Sequence, residues 1–175
     1  MIISNLTRPR CSLAIKQASE LLDIFSIDRP PVDPAEMARH LDVDVFFVKL
    51  DDEDQNISGL YDASEDAIFV NESEWALRQT FTAAHELGHK VLHDEWARSS
   101  DYTLLFRDPA ANSDDPCEKE ANAFATNLLA PRFMLDDVWT RHSAENLSRL
   151  VAESLPVIKH RIATEYGARH GSRQE

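Results

Sequence analysis

His85-Glu86-Leu87-Gly88-His89 is the stretch that most constrains what this chain can fold into. Two histidines four residues apart lie one above the other on the same face of a helix, so both imidazoles reach one zinc ion. The glutamate between them stays close enough to exchange a proton with water held there. The flanking residues predict that helix: Phe81, Ala84, Leu87, Val91 and Leu92 are apolar at helical spacing, with Ala83 and Gly88 as small neighbours. A glycine inside a helix costs about 1 kcal/mol relative to alanine, which implies close packing, expected here against the strand beside the cleft. The plain alternative is a helix that carries histidines without a metal; the order His, Glu, His within an apolar frame favours the metal.

Two imidazoles leave a tetrahedral zinc one protein ligand short, since catalytic sites use three and keep the fourth place for water. His93 is two turns beyond His85, about 12 Å along the axis, and no glycine after His89 breaks the helix to bring it back. It is expected instead to hydrogen-bond groups behind the ligands. A later helix, opened by Asp115-Pro116 and broken at Pro131, offers Glu118 and Glu120. Glu118 shares a stripe with Ala121, Asn122, Ala125 and Leu129, the expected buried face, whereas Glu120 falls between that stripe and the surface beside Lys119. A carboxylate on a buried face needs a compensating charge, which a metal supplies. Glu118 is therefore the expected third ligand, and Asn122 is expected to hydrogen-bond a ligating histidine.

The rest of the chain supplies a frame. Ser12 to Phe25 reads as an amphipathic helix capped by Ser12, and Asp33-Pro34 opens a short second helix running to about Leu41. Val43 to Leu50 reads as a strand, and Ser58–Tyr61 with Ala67–Val70 as a hairpin. The second hairpin strand is expected to form the cleft edge on which an extended peptide lies. Asp94 to Pro116 is a long acidic connection, expected to act as a wall or lid pinned by Tyr102 to Phe106. Short helices follow, the last with Lys159-His160-Arg161 as a positive face. One domain over residues 1–167 and a frayed tail over 168–175 are expected. With 43% hydrophobic residues and a formal net charge of -13, the 175-residue chain can bury a sizeable core but is a poor binder of nucleic acid or anionic membrane. Two cysteines are too few for a disulfide scaffold, and the first ten residues lack a long apolar run, so a cytoplasmic location is expected.

Thr82-Ala-Ala-His-Glu-Leu-Gly-His-Lys-Val-Leu-His93, followed by Glu118-Lys-Glu-Ala-Asn-Ala-Phe-Ala-Thr-Asn-Leu-Leu-Ala-Pro131, resembles the ImmA/IrrE family of zinc metallopeptidases. The hairpin ending in Ile68-Phe-Val-Asn71 is similar too. The resemblance implies an α+β, zincin-like fold of gluzincin type, with helices around a small antiparallel or mixed sheet and a helical C-terminal part. It implies a Zn2+ ion held by His85, His89 and Glu118, with Glu86 as catalytic carboxylate. It also implies a protein substrate, a helix-turn-helix repressor or an antitoxin-like partner, although this chain shows no DNA-binding domain of its own. A zinc-stabilised regulatory binding protein without peptidase activity is the competing reading. Spacing leaves the oxyanion donor open among Tyr61, Tyr102, Arg107, His142 and His160.

Overall fold

The computed structural model describes residues 8–49, 57–98 and 115–167. In chain order these form α1 (Cys11–Ile24), α2 (Pro34–His40), β1 (Asp44–Val48), β2 (Gly59–Asp62), β3 (Ala67–Asn71), α3 (Ala76–Ala97), α4 (Pro116–Leu129), α5 (Arg132–Val138), α6 (Ala144–Leu150) and α7 (Leu155–Glu165). Helices surround a small mixed sheet, the α+β architecture implied above, and the C-terminal part is helical. Residues 99–114, which hold most of the proposed lid and its pinning segment Tyr102 to Phe106, lie outside the described residues, as does the tail over 168–175.

Local signals set several of these elements. Asp33 caps α2, its Oδ1 accepting from the main-chain N–H groups of Ala35 and Glu36 with Pro34 at the first helical position. Asp115 does the same for α4, accepting from Cys117. By contrast α1 starts two residues earlier than a Ser12 cap promised, with Arg10 in the capping place and no capping side chain. Its start is held from outside: the main-chain N–H of Arg10 donates to Glu120 on α4 at 2.6 Å. Similarly α3 runs one turn past His93 to Ala97, through residues expected to belong to the long connection. Lys90–Asp94 and Asp94–Arg98 pairs at i,i+4 hold that extra turn.

The sheet order is β1-β3-β2, with β1 parallel and β2 antiparallel to β3. This corrects the expected cleft edge. β3 is the central strand, hydrogen-bonded on both sides, so it has no edge to offer; among the described residues β2 is the strand on the site's side with one edge unpaired. One face of the sheet, carrying Val45, Ile68, Val70 and Tyr61, is buried with Ala84 and Leu87 of α3. The other carries Phe46 stacked on Phe69, ring centroids 5.4 Å apart. That alternation is the period-two pattern of a sheet with one face in the core.

Two glycines set distances to the site. A Cβ on Gly59 of β2 would sit 2.4 Å from Thr82 Cγ2 and 2.7 Å from the Phe69 carbonyl oxygen, and 3.6 Å from Glu86 Cγ. The bare backbone lets β2 lie against the first half of α3. On Gly88 a Cβ would meet Phe124 Cδ1 at 3.0 Å and Ala121 Cα at 3.3 Å. The close packing that Gly88 implies is therefore against α4, not against the strand. Leu87, Phe124, Ala125 and Leu128 fill the seam, each large side chain there contributing about 1.5–3 kcal/mol by burial.

A second apolar cluster of Leu135, Leu147, Val151, Ile158 and Ile162 joins α5, α6 and α7, with Trp139 stacked on Tyr166. Arg161 does not belong to a positive face. It is buried, with its guanidinium donating to the Ala130 carbonyl at the end of α4 and to Glu165. Lys159 is left beside Glu145 at the surface.

Two outcomes are expected. Gly59→Ala should destabilise the protein by about 1–3 kcal/mol, because the Phe69 carbonyl cannot move without disturbing the sheet; thermal unfolding measures it. Acid should also weaken the β2–β3 turn. Hydrogen bonds from Lys90 and then Arg98 hold the Asp66 carboxyl down at about 2. Since that value lies below the unfolded carboxylate's, the stabilisation is present above about pH 4 and lost as pH falls through the folded value. Urea midpoints measured from pH 5 to pH 2 should fall more steeply for wild type than for Asp66→Asn.

Candidate metal centre

α3 places His85, Glu86 and His89 on its inner side, and α4 crosses it at Gly88, close enough to bring Glu118 to both rings. His85 Nε2 and His89 Nε2 stand 3.1 Å apart. Glu118 Oε2 is 3.3 Å from the first and Oε1 is 3.2 Å from the second. These spacings match the edge of a tetrahedron around zinc, about 3.3 Å for metal–ligand bonds of about 2.0–2.1 Å. His85 is fully buried and Glu118 is 7% exposed, so water does not screen the group.

The proton inventory tests whether a cation fits. His85 Nδ1 lies 3.1 Å from Asn122 Oδ1. An amide oxygen only accepts, so the ring's proton is on Nδ1 and its Nε2 presents a lone pair. His89 Nδ1 faces His93 Nδ1 at 3.1 Å, and His93 Nε2 faces Glu120 Oε2 at 3.2 Å. Unprotonated Nε2 lone pairs and an ionised carboxylate converging on one point repel each other unless a cation sits among them. The residues fit a divalent metal.

The structure thus brings together His85, His89 and Glu118, the cluster that could hold an ion among the described residues. It sets Asn122 and His93 against the rings of His85 and His89 respectively. Asn122 itself is exposed rather than on the buried face, because it reaches His85 from the rim of α4. Glu120 is the larger departure. Expected between stripe and surface, it is fully buried because the start of α1 folds over α4 and Arg10 clasps it. Nothing in the local pattern around Glu120 announces a partner 110 residues away; an arginine standing where a helix lacks its capping side chain is the faint signal that existed. Burial first, then His89, hold the His93 ring down at about 4 despite Glu120, so it is neutral near pH 7.

Glu86 is buried on α3 beside β2, with its Cγ close to Gly59. Of the oxyanion candidates, Tyr61 is committed elsewhere: its hydroxyl lies 2.6 Å from Asp94 and 3.2 Å from Asp66, and burial first, then Asp94, push its pKa well up. His142 and His160 are exposed, on the α5–α6 turn and on α7. Tyr102 and Arg107 lie outside the described residues. The thiols are quiet: Cys11 and Cys117 are both free, and burial, then Asp115, pushes Cys117 up to about 12. No helix among the described residues is long and apolar enough to cross a membrane.

None of the curated proteins matches the chain. The model of Peptidase_M78, described as the IrrE N-terminal-like domain, matches residues 38–168, a span that contains both histidines, Glu86 and Glu118. With the histidine–carboxylate cluster in hand and a match over most of its length, this chain belongs to that peptidase family.

Proposed function

We propose that this protein is a zinc-dependent endopeptidase that cuts one peptide bond in a regulatory protein, a helix-turn-helix repressor or an antitoxin-like partner. The observation that carries it is the meeting of three acceptor groups, the buried His85 Nε2 and Glu118 carboxylate and the half-buried His89 Nε2, within one helix turn of a further buried carboxylate, Glu86. Zinc bound there supplies Lewis acidity toward the scissile carbonyl and acidifies water at the open position.

This chain's own groups do the rest. Glu86 accepts a proton from the attacking water as the new C–O bond forms and delivers it to the amide nitrogen as the C–N bond breaks. The edge of β2, unpaired among the described residues, would give an extended substrate main-chain partners beside Glu86. Asn122 holds His85 with its Nε2 toward the metal position. The formal charge of -13 supports a protein rather than a nucleic acid as substrate, and the two free cysteines support a reducing, cytoplasmic setting.

Zinc content separates ligands from base. His85→Ala, His89→Ala and Glu118→Ala should each lose the metal, by elemental analysis of the purified proteins, whereas Glu86→Gln should keep it. Intact mass of the DNA-binding regulator encoded beside this gene, incubated with zinc-loaded protein, should show one specific cut. In Glu86→Gln the rate should drop about a hundredfold or more. A regulator that binds tightly, changes its DNA affinity and is never cut, equally with wild type and Glu86→Gln, would replace the peptidase reading with that of a zinc-held binding protein.

A further inference from the structure

Behind the candidate metal centre runs a second constellation that links α1 to α3 through α4. Glu120, fully buried, receives the main-chain N–H of Arg10 on Oε1 at 2.6 Å, Arg10 Nε on the same oxygen at 3.0 Å and Arg10 Nη2 on Oε2 at 2.9 Å. Oε2 also faces His93 Nε2 at 3.2 Å, and His93 Nδ1 faces His89 Nδ1 at 3.1 Å. The Arg10 fork and main chain together fix both carboxylate oxygens, so Oε2 is aimed at His93 rather than left to rotate.

Proton placement then follows one residue at a time. A carboxylate only accepts, so His93 donates from Nε2. Arg10 already balances the Glu120 charge and His93 is buried, so its ring needs no second proton and its Nδ1 is left bare. Two nitrogens at hydrogen-bond distance share one proton, so His89 supplies it from its own Nδ1. His89 Nε2 is thereby left as a lone pair, and it is the atom that stands against His85 Nε2 and Glu118.

We propose that the chain Arg10–Glu120–His93 sets His89 in the tautomer that offers Nε2 to the metal, making Arg10 and Glu120 positioning residues for a ligand that neither of them touches. The inference rests on the reading that His85, His89 and Glu118 hold zinc. It also goes beyond the matched domain, because Arg10 precedes residues 38–168. The two ligands are served differently: an exposed neutral amide, Asn122, orients His85, while a charged relay through the buried Glu120 and His93 orients His89.

Zinc-free protein labelled with 15N on histidine tests this directly, because long-range proton–nitrogen correlation spectra distinguish the two tautomers of each ring. Wild-type His89 should carry its proton on Nδ1. In Glu120→Leu, His89 should move to a mixture of tautomers while His85, held by Asn122, stays unchanged. Affinity for zinc alone, by chelator competition, should fall about tenfold to a hundredfold. Arg10→Leu should shift both readouts in the same direction by less. A purely structural role for Glu120 would not move one histidine and spare the other. A wild-type His89 protonated on Nε2, or a folded Glu120→Leu with unchanged His89 signals and zinc affinity, overturns the proposal. Should Glu120→Leu fail to fold, the wild-type tautomer and the Arg10→Leu variant decide the same question. A protein that binds zinc and shows this tautomer but cleaves nothing defeats the peptidase reading alone.

Discussion

The close crossing of α3 and α4 at Gly88 is the constraint on which the rest depends. With a hydrogen where other residues carry Cβ, α4 approaches until Phe124 and Ala121 touch the α3 backbone. Glu118 stands one turn before that contact, so the same approach delivers its carboxylate to two rings on the facing helix. The helix propensity given up by Gly88, about 1 kcal/mol, is offset by packing along the seam that Leu87 and Phe124 fill. Stability and site geometry are thus set by one interhelical distance.

That crossing also concentrates charge where water is scarce. Glu118 and Glu120 are both buried near the start of one helix, two residues apart and turned to different partners. Each needs its own compensation, since a buried carboxylate without a partner is costly. Glu120 finds it in Arg10 and His93. Glu118 is met by two imidazoles among the described residues, and imidazoles already holding their protons on Nδ1 cannot neutralise it. The asymmetry between the two glutamates, one paired with an arginine and one set against two histidines, is the electrostatic signature of the candidate centre.

Much of this was legible in the sequence because it is written in local periods. The spacing of His85 and His89, the apolar stripe through Ala121 and Ala125 and the Asp33 and Asp115 caps each depend on residues within a turn or two of each other. What local periods report is which face of an element is turned inward, not what covers it. Gly88 announced a close neighbour without saying that it is a helix. The two hairpin strands were readable, but β1 arriving parallel on the far side made β3 central, a long-range pairing that no hairpin pattern encodes. Glu120 and Arg161 looked peripheral for the same reason: their partners, Arg10 and the Ala130 carbonyl, are distant in sequence.

A strand edge that is unpaired among the described residues is also a template for any other chain that can extend itself, and this one lies beside the candidate metal centre. β2 spans only Gly59 to Asp62, is anchored by the inward ring of Tyr61 and ends in a charged residue. Such brevity limits the ladder a stray strand could build, which guards against aggregation. The same brevity limits how tightly backbone pairing alone can grip a peptide. On the peptidase function proposed above, so small a ledge would leave discrimination to surfaces further out, and would suit a folded partner better than unfolded chains at large.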